Sequence, residues 1–225
     1  MAISDRRLSL LLIFAVILVG ASYLLSGQAL TLFDAIGPQT SIAPTLSANE
    51  QVAFWQARVR PGMGDAINLT KLAQAYMRVG RETGDAAAYA RAEEALRQAL
   101  ETSPNDSATL STLAAVSISQ HQFSRALEIA RQTYERDANA LQALATMGDA
   151  NLELGNYDEA AEIYAVLMEK APGPEVFARQ SRLSWLRGHT AEAISFMDSA
   201  AMRAAEWGLT GEGLAWYHAQ LGDLY

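Results

Sequence analysis

An aromatic residue followed three places later by alanine recurs at a constant step of 34 residues: Tyr89 and Ala92, Phe123 and Ala126, Tyr157 and Ala160. From Asp65 onward the chain reads as amphipathic helix punctuated by turn residues, so each step holds two helices. A helix pair of this kind leaves an apolar face uncovered, and only a neighbouring pair can cover it. The recurrence therefore predicts an array of stacked hairpins.

The unit from Leu141 to about Pro174 shows how the pairing works. A first helix is expected over about 141–154, ended near Gly155, and a second over about 157–170, stopped by Pro172. Asn156 is placed to cap the second helix. Where two antiparallel helices cross most closely, a large side chain would hold them apart. Alanine at 160, 126 and 92 lets the backbones approach, and Gly148, Ala114 and Ala73 do the same on the facing helix. Tyr157, Phe123 and Tyr89 fill the space beside that contact.

The spacing Gly148, Gly155-x-Tyr157-x-x-Ala160-x-x-x-Tyr164 and Pro172 resembles the tetratricopeptide repeat. The resemblance covers residues about 66–225. It implies an all-α solenoid of about four helix pairs plus a half repeat, wound as a right-handed superhelix. The units fall near 66–106, 107–140, 141–173 and 174–207, with a partial one at 214–225. In the second unit His121 stands where glycine is usual and Ala138 where proline is usual. The first unit has its helix over 66–79 with Gly80 at the end, but Tyr89 and Ala92 arrive seven residues late. The extra RETGDAA is absorbed either as added helical turns or as a longer loop, with Asp85 a candidate N-cap. The fourth unit is one residue short. The last helix, LAWYHAQLGDLY, has no second helix after it, which is expected of a truncated chain or of a surface that another chain covers.

Ahead of the array, Leu8–Leu25 is 18 residues long and carries no charge. As a helix it spans about 27 Å, close to the hydrocarbon core of a bilayer. Arg6 and Arg7 precede it and the next basic residue is Arg58, so residues 1–7 are expected in the cytoplasm and the array on the extracytoplasmic side. Its length favours an uncleaved signal anchor over a signal peptide cut near Gly27-Gln28-Ala29. Residues 26–46, with Gly37, Pro38 and Pro44, read as a linker. Residues 47–65 are expected to hold a capping helix and a turn, because Ser47-Ala-Asn-Glu50 has the capping-box pattern and Val52, Phe54 and Trp55 follow on an apolar face.

The net charge is −8, with Lys71 and Lys170 as the only lysines, so nothing resembles a basic stripe for nucleic acid. There is no cysteine, which excludes thiolate chemistry and cysteine-ligated metals. His121, His189 and His218 are scattered, and no metal-binding spacing joins them. Gly62-Met-Gly64-Asp65 is a turn without the strand a phosphate loop needs. No cofactor, metal or catalytic residue is expected. What the resemblance implies instead is a binding surface on the concave face, lined by first helices. Carried over to this chain, its positions are Thr70, Gln74, Met77 and Arg78, then Ser111, Ala115 and Ile118, then Ala145, Asp149 and Leu152, then Ala178, Arg182 and Trp185. Gln74, Met77, Arg78, Asp149, Leu152, Arg182 and Trp185 are the candidate partner contacts. The lysines and asparagines with which some family members clamp a peptide carboxylate are absent. The expected function is a membrane-anchored scaffold for a protein or peptide partner. Trp185 can equally pack against the next repeat, and self-association through an open C-terminal edge is the competing function.

Overall fold

The computed structural model describes residues 46–59 and 65–225. The predicted membrane segment 8–25, nearly all of the linker and Gly62–Gly64 lie outside these residues. Among the described residues there are ten helices and no strand. No helix among them is long and apolar enough to cross a membrane. In chain order they are α1 (Ala48–Gln56), α2 (Ala66–Thr83), α3 (Ala86–Thr102), α4 (Ser107–Ser119), α5 (Phe123–Arg136), α6 (Leu141–Leu154), α7 (Tyr157–Lys170), α8 (Pro174–Leu186), α9 (Thr190–Glu206) and α10 (Glu212–Gly222).

Each helix packs on the next, and first helices also touch across units, α2 on α4 and α4 on α6. The apolar core is accordingly divided along the array. Leu69, Ala73, Ala92 and Leu96 pack together near its start, Leu144, Ala160, Tyr164 and Leu183 in the middle, and Met197, Ala200, Ala204 and Tyr217 near its end. This serial core is what stacked units require. Ala92, Ala126 and Ala160 are all fully buried, as is Ala193 in α9. Ala126, Ala160 and Ala193 are each the fourth residue of their helix, so the recurrence marks equivalent sites.

The extra residues of the first unit become helix. α2 has 18 residues and α3 has 17, against 13 or 14 in the two units that follow. Gly80 therefore does not end α2. It lies inside the helix, and Gly84 in the left-handed conformation ends it. The caps divide in the same practical way. Ser47 and Glu50 form the capping box, and Asp85 Oδ1 accepts from the Ala87 amide at 2.9 Å. Asn156 does not cap. Its amide donates instead to Asn151 Oδ1 at 3.1 Å, tying the turn to α6.

The α4–α5 turn holds the one non-glycine residue with positive φ among the described residues, His121 at 59°. Gly155 and Gly188 occupy the equivalent turns at 83° and 79°. An L-residue there is strained by about 1–2 kcal/mol, because Cβ crowds the following carbonyl. His121→Gly is expected to raise stability by about 0.5–1 kcal/mol after the entropic penalty of glycine. Urea unfolding of the two proteins measures this, and an unchanged or lowered midpoint would contradict it.

Candidate binding groove

The inner helices α4, α6, α8 and α10 enclose an open groove of about 800 Å³. Its apolar lining includes Ile118, Leu152, Ala178, Met197 and Leu224, and its aromatic side chains are Tyr164, Trp185, Trp216 and Tyr217. Trp185 and Trp216 stand 53% and 51% exposed, from helices in different units. Trp216 also meets Tyr217 edge to face at 4.9 Å between ring centres. Exposed aromatic rings over an apolar floor offer large contact area with few rotatable bonds, which is the surface on which binding energy concentrates.

The charges of the groove are largely paired with one another. Arg179 forks onto Asp149, Nε to Oδ1 at 2.8 Å and Nη2 to Oδ2 at 3.0 Å. Tyr164 donates its hydroxyl to the same Oδ1 at 2.9 Å. Burial, reinforced by the Asp149 charge, pushes the Tyr164 hydroxyl far above its usual range, so it remains a donor. Burial opposes the charge on Arg179, but Asp149 outweighs it and holds the guanidinium above its ordinary value. Arg182 pairs with Glu153 at 2.6 Å, nearer the surface. Both bridges run from α6 to α8 and so fix one unit against the next.

The seven candidate contacts thus take different places. Asp149, Leu152, Arg182 and Trp185 line this groove. Asp149 is committed to the internal bridge and Leu152 to the core, so neither is free in the way the repeat register implies. Gln74 and Arg78 line a separate cleft between α1 and α2, and Met77 is buried in the core beneath it. The groove wall supplied by α10 was not among the candidates. Its signal was present: Asp223 follows Gly222 as Asp149 follows Gly148, which carries the same inner-face register into the half repeat. Arg179 had no such signal, because its bridge to Asp149 spans 30 residues and matches no repeat position.

Residues 117–183 match the tetratricopeptide repeat family, across the units from which most of the groove is built. Residues 117–183 carry tetratricopeptide repeats. No curated protein sequence matches it closely enough to count as a relative. Solved structures with the same fold include TTC0263, a thermophilic TPR protein of Thermus thermophilus, 13% identical over 79% of this chain and 90% of that one, with a TM-score of 0.66. MamA is 15% identical over 71% of this chain and 90% of its own, with a TM-score of 0.53. A chain of the APC/C hetero-tetramer Cut9–Hcn1 is 12% identical over 77% of this chain and 33% of its own, with a TM-score of 0.58. At these identities the likeness is one of fold. The side chains on the inner face are this chain's own.

Proposed function

We propose that this protein is a non-enzymatic scaffold that holds a protein or peptide partner in the groove of its repeat array. The observation that carries this reading is the pair of half-exposed tryptophans, Trp185 and Trp216, facing an apolar groove of about 800 Å³ whose charges are mostly paired. Such a surface is preformed, so a partner loses little by ordering it. The repeat fold, which the Cut9–Hcn1 hetero-tetramer also uses in an assembly, supports the role of a subunit or assembly factor.

The apolar, uncharged stretch 8–25 supports a finer reading. It tethers the array to a membrane, with the array on the extracytoplasmic side, where the tether raises the local concentration of a membrane-associated partner. The role is then that of an assembly or quality-control factor, or of an accessory subunit of a membrane complex. Self-association is the second reading, favoured by the exposure of Met202, Trp207 and Tyr225 near the end of the array.

One experiment addresses these readings together. The full chain, carrying a photo-crosslinking residue at Ala219 on α10, is irradiated in native membranes and compared with a Trp185→Ala/Trp216→Ala variant. A crosslinked partner that the variant loses by about tenfold or more supports the groove, since hot-spot aromatics are commonly worth about 2 kcal/mol or more. Crosslinks between copies that survive in the variant support self-association. Recovery of the chain in the soluble fraction would overturn the tether.

A further inference from the structure

Charge is spread unevenly along the array. Residues 46–82, which cover α1 and nearly all of α2, hold five basic and three acidic residues, while residues 83–225 hold ten and twenty. The three acids are engaged locally: Glu50 in the capping box, Asp65 as the cap of α2 and Glu82 with Arg78. The first end of the array is thus positive and the remainder strongly negative.

That end also exposes apolar side chains. Leu46 and Phe54 are 38% exposed and Ile67 is 76% exposed. Ile67, Lys71, Arg78 and Arg81 follow one another at helical spacing, as a stripe along α2. Leu46, Phe54, Lys71 and Arg81 line one cleft between α1 and α2, with no carboxylate in its lining among the described residues. The Arg58 guanidinium stands over the Phe54 ring, 3.3 Å from its centre. Rings and aliphatic groups set among exposed cations suit a membrane interface, where the apolar parts enter the headgroup layer and the cations reach lipid phosphates.

The position of this surface in the chain points to the same occupant. The uncharged stretch 8–25 ends twenty residues before Leu46. Read as a linker, those twenty residues have a typical end-to-end distance of about 25 Å. A tether of that length holds the α1–α2 end near the bilayer at an effective concentration of roughly millimolar order, so a weak attraction is enough to dock it.

We propose that the α1–α2 end of the array docks on the surface of a bilayer containing anionic phospholipid, with Phe54 and Ile67 in the headgroup layer and Arg58, Lys71 and Arg81 on lipid phosphates. The inference rests on the membrane tether proposed above and adds the orientation of the array. The same negative surface repels the acidic later units, so the array stands on its first end. The units that carry Trp185 and Trp216 are thereby held away from the headgroups and open to a partner.

The test uses the full chain in nanodiscs that carry a nitroxide on the lipid headgroup, made of phosphatidylcholine with or without phosphatidylglycerol. The chain has no cysteine, so Ala57→Cys, beside the surface, and Met202→Cys, in α9, each give one site for a nitrobenzoxadiazole label. Quenching at position 57 is expected to rise severalfold when phosphatidylglycerol is present and to fall with added salt, while quenching at position 202 stays low in both lipids. Lys71→Glu/Arg81→Glu is expected to lower the docked-to-undocked ratio tenfold or more, since each basic residue near such a surface contributes about fivefold. Ile67→Ser, which keeps every charge, is expected to lower quenching by about half or more. All three residues are exposed, and circular dichroism verifies that the variants are folded. Quenching at position 57 that ignores lipid charge, survives the double charge reversal or is unchanged in Ile67→Ser overturns the proposal. So does energy transfer between copies labelled at position 57 with no effect of lipid charge, which would give the surface to a second copy. A chain that enters nanodiscs without such quenching loses the docking and keeps the tether. A chain that does not enter them loses both.

Discussion

Gly148→Val is expected to lower the unfolding free energy by about 2–4 kcal/mol, the range of a severe overpacking in a core. A Cβ added at Gly148 would lie 2.8 Å from Cδ1 of Tyr164 and 3.2 Å from Cγ2 of Ile163. The Tyr164 ring has no way to yield. It is fully buried, and its hydroxyl is held on Asp149. Gly148→Ala is expected to be destabilising too, by a smaller amount, because alanine recovers about 1 kcal/mol of helix propensity over glycine. Tyr164→Leu made in the Gly148→Ala background is expected to restore part of the loss, with a coupling of about 1 kcal/mol. Gly80 provides the contrast. A Cβ there would lie 2.7 Å from Cζ of Tyr89, an equally close approach. But the Tyr89 ring is only half-buried and can turn toward solvent, so Gly80→Ala is expected within about 1 kcal/mol of neutral once helix propensity is counted. Urea unfolding of these variants, with Tyr164→Leu alone to close the cycle, measures the differences. A Gly148→Val protein as stable as the parent would mean that α6 and α7 do not cross as described.

Asp149→Ala is expected to destabilise by about 3 kcal/mol, which sets it apart from the other polar residues of the groove. The change leaves the buried Tyr164 hydroxyl without an acceptor and the Arg179 guanidinium without a counter-charge. Asp149→Asn keeps an acceptor but loses the charge, and an intermediate loss is expected. Arg182→Ala, which breaks the more exposed bridge to Glu153, is expected to lose no more than about 1 kcal/mol. Thermal and urea unfolding decide the ranking. If Asp149→Ala and Arg182→Ala proved equally mild, Asp149 would be a free groove residue, as the repeat register implies, and not a strut between units.

These two sites also mark how far the sequence could be read. The alanines at 92, 126 and 160 were legible because a crossing repeated in every unit leaves a periodic trace. The capping box at Ser47 and Glu50 and the cap at Asp85 were legible because a cap is local, settled within a few residues. Asn156 has the right residue type for a cap but found a better partner in Asn151, across the turn. Gly148 was legible as a small residue at a crossing. That it makes room for the Tyr164 ring specifically was not, because the ring's position depends on the hydroxyl's anchor on Asp149.

The candidate contacts follow the same division. The inner-face register led to Asp149, Leu152, Arg182 and Trp185, all of which line the groove. It could not tell which of them are already engaged, since Arg179 approaches Asp149 from the next unit at a distance in sequence that no period predicts. Nor did it anticipate that the first unit's Gln74 and Arg78 would face α1 instead of the main groove, because α1 lies outside the repeat.

By itself, then, the order of residues determined the helices, their pairing and the small side chains at their crossings, since each depends on local propensity or on a period repeated along the chain. Only the tertiary structure decided which charges meet and where the tryptophans are left uncovered. Those outcomes turn on the stacking angle between units, and that angle is set by the shapes of many side chains at once and leaves no period in the sequence.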